Sequence, residues 1–367
     1  MDTFLDYDTV RRKTRLVSVG GVEIGGSAPV SVQSMTKTDT RDVDATVNQI
    51  HALEAAGCEI IRLAVPDEKA VEALVSIIPQ ISIPLIADIH FDFRLALKAV
   101  AAGVDGLRIN PGNIGGAARV REVTAAAAER TVPIRIGVNA GSLEKDLLQR
   151  YGGATAEAMV ESALRHIRIL EDLSFDRIKV SLKASDIGRT LEAYRLLAAK
   201  VDYPFHAGIT EAGGFTAGTV KSSIGLGLLL TEGLVDTLRV SLTADPVEEV
   251  RVGRLILSSL NIRSFGPRIV SCPTCGRCEV DLQSIADAVE KRISGIKTAL
   301  HVAVMGCMVN GPGEAKEADI GVACGKGMGV IFKRGAILRR VEEEKIVDEF
   351  VEEVEQMAEE EKSRDKA

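Results

Sequence analysis

The chain of 367 residues has no Trp, 13 aromatic residues (9 Phe and 4 Tyr), 34 Gly, 46% hydrophobic and 26% charged residues. That composition excludes disorder for most of its length and suffices for one large core and a second small one. The net charge of −7 resides at the C-terminal end, where residues 342–367 carry 12 acidic and 4 basic side chains and leave the remainder at +1, so the acidity does not argue against an anionic ligand.

No Lys/Arg block points to nucleic acid, and no apolar run reaches the roughly 18 residues of a membrane span. The acidic start Met1-Asp2-Thr3 lacks the apolar segment of a signal peptide, so a cytoplasmic protein is expected. In chain order, residues 15–19 and 22–24 flank Gly20-Gly21 and predict a β-hairpin plugging one end of a barrel. Eight short β-branched runs follow, at 30–35, 59–66, 84–89, 106–111, 133–140, 177–183, 204–210 and 236–242. Amphipathic stretches such as 43–56, 154–173, 190–200 and 246–260 lie between or after them. Eight β-α repeats predict an α/β fold of the TIM (β/α)8 barrel type, and no G-x-G-x-x-G follows the first strand to suggest a dinucleotide sheet. The pattern resets near Ser264-Phe265-Gly266-Pro267, giving a barrel domain over 1–264 and a small α+β domain over 265–367. The second domain is read as strand 268–270, a cysteine cluster, helix 281–292, strand 300–303, a cysteine loop, and strands 320–323 and 329–333. A charged helix is expected from about Leu338, with a frayed tail beyond Glu359.

Barrel enzymes work at the C-terminal ends of their strands. There the chain places Arg62 on strand 2, Asp88 and His90 on strand 3, Arg108 and Asn110 on strand 4, and Arg135 and Asn139 on strand 5. Lys179 and Lys183 lie on strand 6, His206 and Glu211 on strand 7, Arg239 and Ser241 on strand 8. Inward cations are costly unless they are paired or meet an anion, and these exceed what Asp88 and Glu211 can neutralise. The excess suits a polyanion such as a diphosphate. Gly112, Gly137 and Gly141 would allow close backbone approach and free N–H donors. The alternative is that several cations point outward, because strand parity is not fixed by sequence. Asp88 and Glu211 are candidates for proton transfer, or else salt-bridge partners of Arg62 or Arg108.

Cys272-Pro273-Thr274-Cys275-Gly276-Arg277-Cys278 is a C-x2-C-x2-C turn, and Cys307 lies in the Gly/Pro-rich segment Gly306-Cys307-Met308-Val309-Asn310-Gly311-Pro312-Gly313-Glu314. One tight turn plus a distant Cys fits an iron–sulfur cluster better than zinc, which usually pairs two C-x2-C knuckles; free thiols are the third possibility. Cys58, at the end of an apolar helix, reads as core, and spacing leaves Cys278 and Cys324 unassigned.

These residues resemble one family closely, the 4-hydroxy-3-methylbut-2-enyl diphosphate synthases of the methylerythritol phosphate route to isoprenoids. The matching stretches are 32–36, 87–91, 108–113, 135–139, 206–211, 271–277 and 306–314. One departure is Leu234-Val235, where the family has an Ile-Gly type pair. The resemblance implies a two-domain bacterial form, a TIM barrel followed by an iron–sulfur domain resembling those of sulfite reductases. The implied reaction is reductive opening of 2-C-methyl-D-erythritol 2,4-cyclodiphosphate to (E)-4-hydroxy-3-methylbut-2-enyl diphosphate. By family position, Cys272, Cys275, Cys307 and Glu314 would hold a 4Fe–4S cluster. Arg62, Arg108, Arg135, Asn139 and Lys183 would hold the diphosphate, and Asp88, Asn110 and Glu211 would face the carbon skeleton, Glu211 as general acid. A flavodoxin or ferredoxin donor and a head-to-tail homodimer are implied as well. The alternatives are a non-redox phosphate-binding barrel transferase with a structural zinc site, and an iron–sulfur sensor without turnover.

Overall fold

The computed structural model describes residues 7–307 and 317–364. It divides into two compact units, Met1–Arg263 and Ser264–Ala367.

In the first unit, strands β1 (Val17–Val19) and β2 (Val22–Ile24) form the hairpin, turning through Gly20 and Gly21 at φ +53° and +89°. A side chain on Gly20 would meet Pro84 at 2.5 Å, so the turn presses against the segment entering a barrel strand. Val19 and Ile24 pack on Ile60 and Ile86, which closes the N-terminal end of the barrel with apolar side chains.

The barrel strands are β3 (Ser31–Met35), β4 (Ile60–Ala64), β5 (Leu85–Asp88), β6 (Gly106–Ile109), β7 (Ile134–Asn139), β8 (Ile178–Lys183), β9 (His206–Ala207) and β10 (Thr237–Leu238). All pairs are parallel, in the order β8-β7-β6-β5-β4-β3-β10-β9, and a single bridge, Val180 to Phe205, nearly closes the ring. The fold is thus the eight-stranded parallel barrel that the alternating pattern predicts. The last two strands are shorter than their sequence runs, two residues each. Asp42, Asp67, Asp92, Asp186 and Asp245 each accept a first-turn N–H of the helix that follows them, satisfying donors that the helix cannot.

The strands are buried on both faces, as parallel strands covered by helices are. Register, not burial, therefore decides which side chains share a layer. Asp88 pairs with Arg108, Arg108 with Arg135 and Arg135 with Lys179, so four charged residues form one layer across β5 to β8. Asn139 pairs with Lys183 two positions of equal parity further up.

The second unit is a five-stranded sheet, β11 (Arg268–Ser271), β12 (His301–Met305), β13 (Ile320–Gly325), β14 (Met328–Lys333) and β15 (Ala336–Glu342), in that order. The first three are parallel and the last two antiparallel. Helices Leu282–Ile293 and Ile346–Arg364 bury Val289, Ile293, Phe350, Val354 and Met357 against Val302, Val304, Val322 and Ile331 of the sheet. Two expectations need correction here. The segment from Leu338 is not helical but the edge strand β15, which turns back from β14 at Arg334-Gly335, both at positive φ. Its exposed charges protect an edge, and in sequence they look like a solvated helix face. The final helix starts at Ile346 and continues past Glu359 to Arg364; Lys333 binds Glu360 at 2.8 Å and Arg334 pairs with Glu361.

Candidate active site

The charged layer forms a buried cluster at the C-terminal ends of β5 and β6, but Arg135 and Lys179 lie near the starts of β7 and β8, deeper than the strand ends where the sequence suggests them. Asp88 sits at its centre, with Arg62 Nε 3.4 Å from one carboxylate oxygen and Arg108 Nη1 3.2 Å from the other. His90, more exposed, lies 3.5 Å away. Burial alone would raise the Asp88 carboxyl, but Arg62, Arg108 and Arg135 outweigh it and hold it below the ordinary aspartate range. The salt bridges to Arg62 and Arg108 that the sequence admitted for Asp88 are therefore both present.

One carboxylate does not balance the cations around it. Arg135 is 1% exposed, and its Nε and Nη1 have no hydrogen-bond partner in the structure. Burial, then Arg62 and Arg108, push the Arg135 guanidinium well below its usual range. Burial and then Arg135 do the same to the Lys183 ammonium, whose Nζ is 3.3 Å from His206 Nε2. Lys179, paired with Arg135 in the charged layer, is also depressed by burial and by Arg135. Arg62 falls to about 10, chiefly through burial, and rests Nη2 against Met35 Sδ at 2.9 Å. These buried cations disfavour one another's charge, an effect that an anion among them would relieve.

Two features were not legible in the sequence. The second carboxylate of the cluster is Glu249, buried in the first turn of helix Pro246–Ser259. It binds Arg239 Nη2 at 3.3 Å, Lys37 Nζ at 3.0 Å and the Leu242 N–H at 2.9 Å. Glu211, the candidate proton donor, is exposed in the loop after β9, and among the described residues no hydrogen bond ties it to the cluster. Its φ is +52°, a strained value for a residue with a side chain.

Two of the three glycines act differently from expectation. The Gly137 N–H goes to Asn110 Oδ1 at 3.0 Å and the Gly112 N–H to His166 Nδ1 at 3.1 Å, so neither donor is free. Gly137 matters for space: a Cβ there would stand 2.6 Å from Arg108 Nε, and Arg108 Nη2 donates to the Gly137 carbonyl at 2.9 Å. Asn110 is buried, with its carboxamide oxygen committed to β7, while Asn139 is half-buried at the end of that strand.

In the second unit, β11 and β12 are parallel neighbours with Ser271 beside Val304, so the turn after Ser271 and the loop after Met305 leave the sheet at the same end. Gly306 N–H donates to Cys272 Sγ at 3.2 Å. The Cys278 N–H closes the turn on the Cys275 carbonyl at 2.9 Å, and the Cys275 thiol is exposed. Hydrogen bonds from the backbone and then the side chain of Arg277 lower the Cys275 thiol pKa. Cys278 Sγ donates to the Val280 carbonyl at 3.3 Å and lies so close to Gly306 that a Cβ there would be 2.6 Å away. Cys58 and Cys324 are buried, with thiols pushed up to about 12 by burial. Among the described residues no three Cys, His or carboxylate groups converge on one metal ion; Glu314 lies outside the described residues.

A parallel eight-stranded barrel with a buried cationic mouth, followed by a cysteine-bearing α+β unit, defines a two-domain TIM-barrel protein. Residues 14–254 match the GcpE TIM-barrel domain and residues 268–356 the GcpE protein C-terminal domain. The chain belongs to the GcpE family. A relative from Geobacter sulfurreducens is 62% identical over 348 residues, 95% of this chain and 99% of its own length. A relative from Thermodesulfovibrio yellowstonii is 60% identical over 344 residues, 94% and 99% of the two chains. Both are named 4-hydroxy-3-methylbut-2-en-1-yl diphosphate synthase (flavodoxin). These names give no support to the non-redox transferase alternative. Among solved structures, dihydropteroate synthase from Stenotrophomonas maltophilia matches with a TM-score of 0.50 at 13% identity, over 68% of this chain and 100% of that one. N-acetylneuraminic acid synthetase from Leptospira borgpetersenii gives 0.50 at 13%, over 77% and 98%. These two likenesses show the barrel fold alone. Among the described residues no helix is long and apolar enough to cross a membrane.

Proposed function

We propose that this chain is a cytoplasmic 4-hydroxy-3-methylbut-2-enyl diphosphate synthase, opening 2-C-methyl-D-erythritol 2,4-cyclodiphosphate reductively to the linear hydroxy-diphosphate. The observation that carries this reading is the buried cation cluster, with Arg135 left without partners on two nitrogens. A diphosphate supplies the missing negative charge, and planar guanidinium groups suit its oxygens. Arg62, Arg108, Arg135, Asn139 and Lys183 bind and orient it. Asp88 keeps Arg62 and Arg108 aimed into the barrel, and the Asn110 carboxamide faces the carbon skeleton. Glu211 delivers the proton to the departing hydroxyl; exposed and held at positive φ, it is a strained residue of the kind found at working sites.

The reaction consumes two electrons, and no protein side chain here supplies them. Cys272, Cys275, Cys307 and Glu314 would hold a 4Fe–4S cluster, which when bound passes electrons singly from a reduced flavodoxin. The structure fits such a group: two cysteines share a tight turn, the third follows the neighbouring parallel strand, and an N–H already donates to Cys272 sulfur. The family resemblance implies a head-to-tail homodimer. On helix Phe215–Thr231, Val220, Ile224 and Leu228 are exposed at four-residue spacing, which suits burial by a second copy.

Metal analysis of the anaerobically purified chain tests this reading. Four irons and four sulfides per chain are expected. Stoichiometric zinc without sulfide, persisting after anaerobic reconstitution, would remove the electron path.

A further inference from the structure

His166 takes no part in the charged cluster, but it joins the two loops that carry the site's carboxamides. It is 3% exposed, in the middle of helix Ala156–Glu171. Nδ1 accepts the Gly112 N–H at 3.1 Å, in the turn Pro111–Asn113 that follows β6. Nε2 lies 3.3 Å from Glu144 Oε1, just after the turn Ala140–Ser142 that follows β7. A lone pair must face Gly112, so the ring's proton is on Nε2 and points at Glu144. Glu144 suits this role as an anion, held down to about 2, chiefly by the hydrogen bond from His166 against the raising effect of burial. The fit over Gly112 is tight: a Cβ there would lie 2.7 Å from the imidazole Cε1.

The same turn carries Asn110, whose carbonyl accepts the Asn113 N–H at 2.8 Å and whose Oδ1 accepts the Gly137 N–H at 3.0 Å. Asn139 ends β7 and caps the turn Ala140–Ser142. We propose that His166 is a positioning residue: a neutral imidazole that ties the turn after β6 to the loop after β7 and so fixes Asn139 for the diphosphate and Asn110 for the carbon skeleton of the ligand. The ligand class rests on the function proposed above; the clamp itself does not.

Hydrogen exchange of the full chain separates the two. In His166→Asn the side-chain oxygen takes the place of Nδ1 and retains the Gly112 bond, while the Glu144 bond is lost. In His166→Leu both are lost. Exchange across residues 110–116 should rise roughly tenfold in His166→Leu and stay near wild type in His166→Asn, the size expected for one buried hydrogen bond. Exchange across 140–146 should rise in both, and in Glu144→Ala. Inorganic pyrophosphate should bind roughly tenfold more weakly to His166→Leu, with partial rescue by His166→Asn. Wild-type exchange at both loops in folded His166→Leu would overturn the clamp. If that variant does not fold, equal exchange at 140–146 in wild type, His166→Asn and Glu144→Ala would overturn it. Wild-type protein that fails to bind pyrophosphate would instead count against the diphosphate reading, leaving the exchange data to decide the clamp.

Discussion

Replacing Asp88 with Asn should destabilise the folded chain by about 3–5 kcal/mol at neutral pH, the scale for removing one partner of a buried ion pair. Asp88 is 5% exposed and stands against Arg62 and Arg108, with Arg135 beside them. Without its charge the three guanidiniums face one another in a buried layer. The pH dependence has a definite sign. The folded Asp88 pKa lies below the ordinary 3.8, so its contribution is complete at neutral pH and is lost as pH falls through the folded value. The gap between wild type and variant should therefore close in strong acid. Saturating pyrophosphate should narrow it as well, because the ligand replaces the missing negative charge. Urea unfolding with and without pyrophosphate measures both effects. A gap under about 1 kcal/mol at neutral pH would show that Asp88 does not hold the cluster together.

Glu211→Gln should lower turnover by roughly 10²–10⁴-fold, the usual contribution of a positioned general acid, with iron and sulfide content unchanged. The amide keeps the shape and hydrogen-bonding reach of the side chain and removes only the acidic proton. Glu211→Gly separates function from folding. The residue's φ of +52° is one that glycine adopts freely, so this variant should be at least as stable as wild type yet as inactive as the amide. Near-normal turnover in Glu211→Gln would remove Glu211 from the mechanism. A loss of cluster content in either variant would place its effect on the second unit instead.

The barrel was legible because eight apolar runs alternate with helical patterns, and the cationic mouth because basic residues recur inside those runs. Their direction was not legible. Strands buried on both faces carry no hydrophobic alternation, so the layer Asp88, Arg108, Arg135 and Lys179 emerges only from the register. Glu249 was missed because an acidic residue in a first helical turn ordinarily serves the helix dipole, and nothing local says that it reaches Arg239 and Lys37. Glu211 follows a strand run, but its left-handed backbone is a bend that glycine would announce and glutamate does not. Strand β15 was hidden by charges that protect an edge, and the His166 clamp by a partner 54 residues away in sequence. The cysteine turn is clear from spacing, since residues on one tight turn are local by construction.

Reductive opening of a cyclic diphosphate is the activity proposed for this chain. The most direct measurement incubates the anaerobically purified full chain with 2-C-methyl-D-erythritol 2,4-cyclodiphosphate and reduced flavodoxin, following products by mass spectrometry. The expected product is (E)-4-hydroxy-3-methylbut-2-enyl diphosphate, one molecule for each two electrons consumed, and none when the reductant is omitted. Cyclodiphosphate that remains intact with protein carrying four irons and four sulfides per chain would contradict that activity.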